Sequence, residues 1–207
     1  MPRLSQELRS ALKRLEHEIA VWREEPLKMV TVRNNLLRPL RARQFYSFGQ
    51  HSLIDRPIWL YGSRSISVGD QVIILRGAWL AVERVAWGKQ APVFKIGTGV
   101  GIRTGFTASA AESIEIEDHV GMGGNVTVVD SKHTWSGGHP NPNFNPVDSA
   151  PVRIGRGSWL ADRVTVAAGS DIGEQCAIGS NTTVSGKVPD FSIVLGNPGR
   201  VVGSTRT

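Results

Sequence analysis

The sequence predicts an all-β solenoid, and three regularities carry that prediction. Aliphatic side chains recur every six residues, in unbroken register at Ile154, Leu160, Val166, Ile172, Ile178 and Val184. Glycine follows the aliphatic position at Gly69, Gly97, Gly155, Gly173 and Gly179. A second β-forming residue often stands two places before it, as at Ile114, Val120, Val126, Val152 and Val164. A period of six excludes an amphipathic helix, whose apolar face recurs every three or four residues. It fits short strands joined by turns, each strand pointing one apolar residue inward while the glycine permits a backbone conformation or close approach that a side chain would obstruct. Three strands then make one coil of roughly 18 residues, and stacked coils bury a continuous apolar column.

The elements follow in order. Residues 1–47 form an N-terminal helical segment in which Leu8, Leu12, Leu15, Ile19 and Trp22, spaced alternately by four and three, make one narrow stripe of an amphipathic α-helix that ends at Pro26. That stripe either packs on its own subunit or joins neighbouring copies as a short coiled coil. The repeat domain spans 48–196. It opens with Phe48, Ile54, Leu60 and Ile66, and continues in a phase shifted by two at Val68, Ile74 and Leu80. After a loop from Glu83 to Pro92 the period returns at Ile96, Ile102 and Ala108, then at Ile116, Met122 and Val128. A second, longer interruption at 129–151 precedes the final stretch, and residues 197–207 form a tail.

The 207 residues suit one domain with a short appendage. The 23 glycines agree with many tight turns. The formal charge of +6 is scattered along the chain, which reads as a solvated surface, with a basic anion pocket as the functional alternative and no partnership with nucleic acid expected. No secretory leader pattern or membrane-spanning run is visible, so a cytoplasmic protein is expected. The lone Cys176 falls at a small-residue position of a repeat and is expected to be packed and inert.

The stretch VVDSKHTWSGGHPNPNFNPV, residues 128–147, has no six-residue period and holds two of the five histidines, His133 and His139. A solenoid wall is too regular to build a site alone, so function is expected in the loop that interrupts it. Gly137, Gly138, Pro140, Pro142 and Pro146 are expected to exclude regular structure there. Trp135 and Phe144 either line an acceptor pocket or pin the loop to the body.

Three segments carry a family resemblance: FGQHSLIDRPIWLYGSRSISVGDQVIILRGAWL, GMGGNVTVVDSKH and VPDFSIVLGNPGRVV. With the glycine-bearing hexads they resemble the hexapeptide-repeat acyltransferases, in the surface-polysaccharide O-acetyltransferase branch related to the maltose, galactoside and xenobiotic acetyltransferases. The resemblance implies a left-handed parallel β-helix and a homotrimer, with acetyl-CoA or another short acyl-CoA in a cleft between adjacent subunits. It implies direct transfer to a hydroxyl of a sugar or polysaccharide precursor, with no metal required.

The resemblance assigns the general base to His133, with His139 as fallback. Histidine suits the role because much of it is neutral and proton-accepting near pH 7. Asp130 and Trp135 are implied at the acceptor. A backbone N–H from the stretch GRGSWLADR would face the oxyanion, with Asn125 and Asp162 at the oxyanion or acyl pocket. Trp159, Ala161 and Ser180 are implied along the acyl-CoA groove, with Asn197 and Arg200 at its nucleotide end. For GNPGR a tight turn closing the solenoid is the structural alternative. The chain departs from the family pattern at Ala161 and Asp162, and again at Ser131 and Lys132.

Two other classes compete. One is a metal-dependent hydratase of the carbonic-anhydrase type on the same solenoid, using His119, His133 and His139. The other is a non-catalytic trimeric scaffold.

Overall fold

The computed structural model describes residues 38–40, 42–88, 92–135 and 138–206; the helix expected in the N-terminal segment lies outside them. From Ser47 onward the chain visits three parallel sheets in rotation, so that each sheet collects every third strand. The first sheet takes Ser47–Phe48, Ile66–Val68, Phe94–Ile96, Ile114–Ile116, Val152–Ile154, Asp171–Ile172 and Lys187–Val188. The second takes Leu53–Ile54, Ile73–Ile74, Gly101–Ile102, Gly121–Met122, Trp159–Leu160, Ala177–Ile178 and Ser192–Leu195, and the third runs from Trp59–Tyr61 to Thr183–Val184. One feature of the tail differs from the sequence expectation: Arg200–Ser204 folds back antiparallel on Ser192–Leu195 and covers that edge of the second sheet.

Register matches aliphatic to aliphatic between successive coils. Ile116 lies against Ile154, and Ile154 against Ile172; Met122 lies against Leu160, and Leu160 against Ile178; Val128 lies against Val166, and Val166 against Val184. All of these side chains are buried in one continuous cluster. Removing each from water stabilises the fold by roughly 1.5–3 kcal/mol.

Coil length varies at one place only. The aliphatic positions of the first and second sheets are six apart in every coil, and so are those of the second and third. From the third sheet back to the first the spacing runs from four residues, between Val184 and Val188, to 26, between Val128 and Ile154. The two-residue phase shift in the sequence is this corner in a longer coil, where Ile66 and Val68 are both buried.

The two invariant corners share a construction. Near the first, between first and second sheets, Gln71, His119 and Gln175 have positive φ, and near the second Asn125, Arg163 and Asn181 do. Each of these residues donates its N–H to a carbonyl of the preceding coil, as His119 does to Thr98 and Asn181 to Asp162. The residue just before is often aspartate, whose carboxylate accepts an N–H from that coil: Asp70 from Gln50, Asp118 from Thr98 and Asp162 from Gly124. The glycine two places earlier serves close approach instead. A Cβ on Gly155 would run into the carbonyl of Gly173 in the next coil.

Candidate functional site

The long loop leaves and rejoins the third corner at one anchor, Asp130. Its carboxylate is completely buried and accepts the N–H groups of Ala111 at 2.7 Å, Glu112 at 2.8 Å and Ser113 at 2.8 Å, all from the preceding coil. Its carbonyl accepts the N–H of Ala150 at the loop's return. Both carboxylate oxygens accept backbone amides, so within this chain Asp130, expected at the acceptor, serves as an anchor of the loop.

With both ends held together, Ser131–His133 pairs antiparallel with Val147–Ser149 in a two-stranded ribbon. The loop was expected to lack regular structure, but Pro140, Pro142 and Pro146 fall between these two segments and not within them. Beyond the ribbon, His139 is engaged within the loop: its backbone N–H reaches the Asn145 side chain, its Nδ1 accepts the Asn141 N–H at 3.0 Å, and its ring meets Phe144 edge-on at 4.9 Å. Trp135 is 86% exposed, so it neither pins the loop nor lines an enclosed pocket within this chain.

His133 stands exposed on the ribbon, and among the described residues its imidazole has no hydrogen-bond partner. It faces a groove of roughly 640 Å³ whose walls include Glu83, Arg84, Val85, Ser109 and Lys132. Glu83 accepts a hydrogen bond from the Ser109 hydroxyl at 2.9 Å. Glu83–Val85 come from the shorter interruption of the repeat, which leaves the same corner as the long loop. Sequence reasoning saw that interruption without assigning it a role. Its signal was its phase, since it falls after a third-sheet strand as the long loop does.

The remaining candidates gather elsewhere. Asn125, Asp162, Ser180 and Asn197 lie along the second corner, with Ala161 beside them at the end of Trp159–Leu160. Trp159 is half exposed on the second sheet, and its ring lies over Gly121, where a Cβ would come within 2.6 Å of it. Arg200 is exposed, pairs with Leu195, and donates to the Gly199 carbonyl at 3.0 Å. The turn before it seats its Gly199 N–H on the Thr183 carbonyl, closing the coil as the structural alternative for GNPGR expected. The Ala161 N–H donates to Ile178 at 2.9 Å and the Trp159 N–H to Cys176 at 2.8 Å, so these amides of the GRGSWLADR stretch are used in the ladder. Asp162 is turned back onto the Gly124 N–H at 2.6 Å, as a corner aspartate.

The second corner and the His133 groove therefore sit at opposite ends of the third-sheet strands. His119 is on the first corner, away from the loop that carries His133 and His139. Among the described residues, no three His, Cys, Asp or Glu side chains gather where they could hold a metal ion. Among them, too, no helix is long and apolar enough to cross a membrane.

No family model matches the sequence. A probable acetyltransferase of Mycobacterium tuberculosis is 45% identical over 53 residues, which cover 26% of this chain and 18% of that protein. A putative lipopolysaccharide biosynthesis O-acetyl transferase of Escherichia coli is 33% identical over 73 residues, covering 34% of this chain and 37% of that protein. The chain thus spans well under half the length of these curated relatives. A solved structure of a mutant of AntD, an N-acyltransferase from Bacillus cereus in complex with dTDP and Coenzyme A, superposes with a TM-score of 0.67 at 22% identity, over 82% of this chain and 89% of that one. In its matching segments the chain is similar to acetyltransferases, and in fold to a hexapeptide-repeat containing acetyltransferase from Vibrio cholerae, with a TM-score of 0.59 at 19% identity over 88% of this chain and 89% of that one.

Proposed function

We propose that this protein is an acyl-CoA-dependent O-acyltransferase that moves acetyl from acetyl-CoA to a hydroxyl of a sugar or polysaccharide precursor, with His133 as general base. The observation that carries this reading is an exposed imidazole, without a hydrogen-bond partner among the described residues, in a groove built by two loops of one corner. The imidazole takes the proton of the acceptor hydroxyl as its oxygen attacks the thioester carbonyl carbon. The tetrahedral intermediate then collapses with cleavage of the C–S bond, and the imidazolium returns the proton to the departing sulfur. No covalent enzyme intermediate is needed.

The donor is proposed to lie along the second corner, past Trp159, Ala161 and Ser180 toward Asn197 and Arg200, a reading supported by the family resemblance of these segments. Because that corner and the His133 groove lie at opposite ends of the third-sheet strands, the proposed arrangement is a homotrimer of left-handed β-helices. The groove of one subunit then faces the second corner of its neighbour. With Ala161 and Trp159 amides used in the ladder, the oxyanion donor is proposed to be another backbone N–H nearby.

Calorimetric titration with acetyl-CoA, on wild type and His133→Ala side by side, tests the reading without knowledge of the acceptor. Both should bind about one CoA per chain. Acetyl transfer, followed by release of the CoA thiol over a panel of sugars, should fall in the variant by roughly 10²–10⁴-fold. Full turnover by His133→Ala would remove His133 from the chemistry. Failure of the wild type to bind acetyl-CoA would sink the acyltransferase reading, and the metal content of the purified protein would then decide for or against the hydratase.

A further inference from the structure

The third corner carries a second cavity, one coil before the wall of the His133 groove. It measures roughly 410 Å³ and is lined by Tyr61, Gly62, Ser63, Arg64, Ser65 and Trp87, among others. Its aromatic rings are fixed in place. The Trp87 indole N–H donates to the Val82 carbonyl at 2.9 Å, and its ring lies 5.1 Å from that of Tyr61. The Tyr61 hydroxyl accepts the Arg84 Nε–H at 2.7 Å, and the guanidinium stands 5.9 Å over the Trp87 ring. Trp87 nevertheless remains 47% exposed.

Aromatic faces already held by hydrogen bonds lose little conformational freedom when a ligand stacks on them. The C–H face of a sugar suits such a surface, and the neighbouring Arg64 and Ser65 supply hydrogen-bonding groups for its hydroxyls, while the Ser63 hydroxyl donates to the Gln44 carbonyl at 2.8 Å. Arg84 joins the two cavities: it lines the His133 groove and, through the contacts above, braces Tyr61 and Trp87. An acceptor whose reacting hydroxyl lies at His133 would therefore meet this platform if it continued by further residues past Arg84.

From this continuity we infer that the Tyr61–Trp87 cavity is a distal subsite for a remote sugar residue of the acceptor, so that the preferred acceptor is an oligosaccharide and not a monosaccharide. The inference rests on the acyltransferase reading and names the size class of its substrate. It is tested by calorimetry with linear tetrasaccharides of glucose, galactose, mannose and N-acetylglucosamine, each against its parent monosaccharide. At least one tetrasaccharide should bind about tenfold tighter than its monosaccharide, a difference of about 1.4 kcal/mol. Trp87→Ala should bring that ratio close to one, and Tyr61→Ala should lower it, while acetyl-CoA binding stays at the wild-type value and reports an intact fold.

Tetrasaccharides that bind no better than monosaccharides, or a ratio unchanged in both variants, would assign the cavity to protein packing and overturn the inference. If acetyl-CoA binds normally in those experiments, only the subsite has failed. If wild type binds no acetyl-CoA, the functional reading itself has failed.

Discussion

Asp130 offers the sharpest separation between anchoring and ligand binding. Its carboxylate is fully buried and accepts three backbone N–H groups at 2.7–2.8 Å. Hydrogen bonds to a charged acceptor contribute about 1.5–3 kcal/mol each, and stranding the donors costs a similar amount. The three share one acceptor group and sit at a corner where water can reach some of them after truncation, so the sum is discounted. Asp130→Ala is expected to cost about 4 kcal/mol. For a chain of this length a loss of 1 kcal/mol lowers the melting temperature by roughly 2–4 °C, which puts the expected drop at about 8–16 °C. Asp130→Asn should lie between, because its amide oxygen can keep the pair of bonds from Glu112 and Ser113 while its NH₂ faces the Ala111 N–H. The assay is thermal unfolding at fixed protein concentration, since an oligomer's melting temperature depends on it. A melting temperature within about 2 °C of wild type for Asp130→Ala, together with a raised KM for the acceptor, would refute the anchor and restore Asp130 to the acceptor site.

Three further outcomes are expected. Gly155→Ala forces a Cβ into the Gly173 carbonyl and should destabilise by about 3 kcal/mol, measured by urea unfolding; an unchanged midpoint would show that the coils can separate locally. Gly121→Ala should displace the Trp159 ring and weaken acetyl-CoA binding with little loss of stability, because that ring lies on the outer side of the second sheet; unaltered affinity by calorimetry would take Trp159 out of the donor groove. Burial pushes the Cys176 thiol up, and its Sγ lies 3.1 Å from the Pro189 carbonyl. Being less ionised than an ordinary thiol at any pH below its own pKa, it should react with a thiol-disulfide reagent at neutral pH only after unfolding. Prompt labelling of the native protein would contradict that burial.

The hexads from Ile154 to Val184 were readable because one aliphatic residue per strand points inward at a fixed spacing, a purely local rule. The corner aspartates were not readable in the same way. Asp162 stands out as a departure from a family pattern until its partner is seen to be the Gly124 amide, 38 residues earlier across the long loop. Asp130 is similar: its partners lie 17–19 residues back, and nothing adjacent in sequence marks the carboxylate as internal. The Glu83–Val85 wall of the groove was hidden for another reason. Two interruptions of unequal length do not look related until the coil is counted and both prove to leave one corner.

That constancy of spacing bears on how such a chain can change. Lengthening the first or second corner would shift every αL residue out of line with the carbonyl it pairs with on the coil before, and would misplace the aspartate beside it. Added residues at the third corner leave the aliphatic stacks in register, as the spacings of eight, sixteen and twenty-six residues already present there demonstrate. Insertions and deletions are therefore tolerated along a single edge of the molecule, the edge that holds His133 and the Tyr61–Trp87 platform. Under the proposed function, acceptor preference would then diverge by changes of loop length there, while the column of aliphatic side chains and the second corner stay as they are.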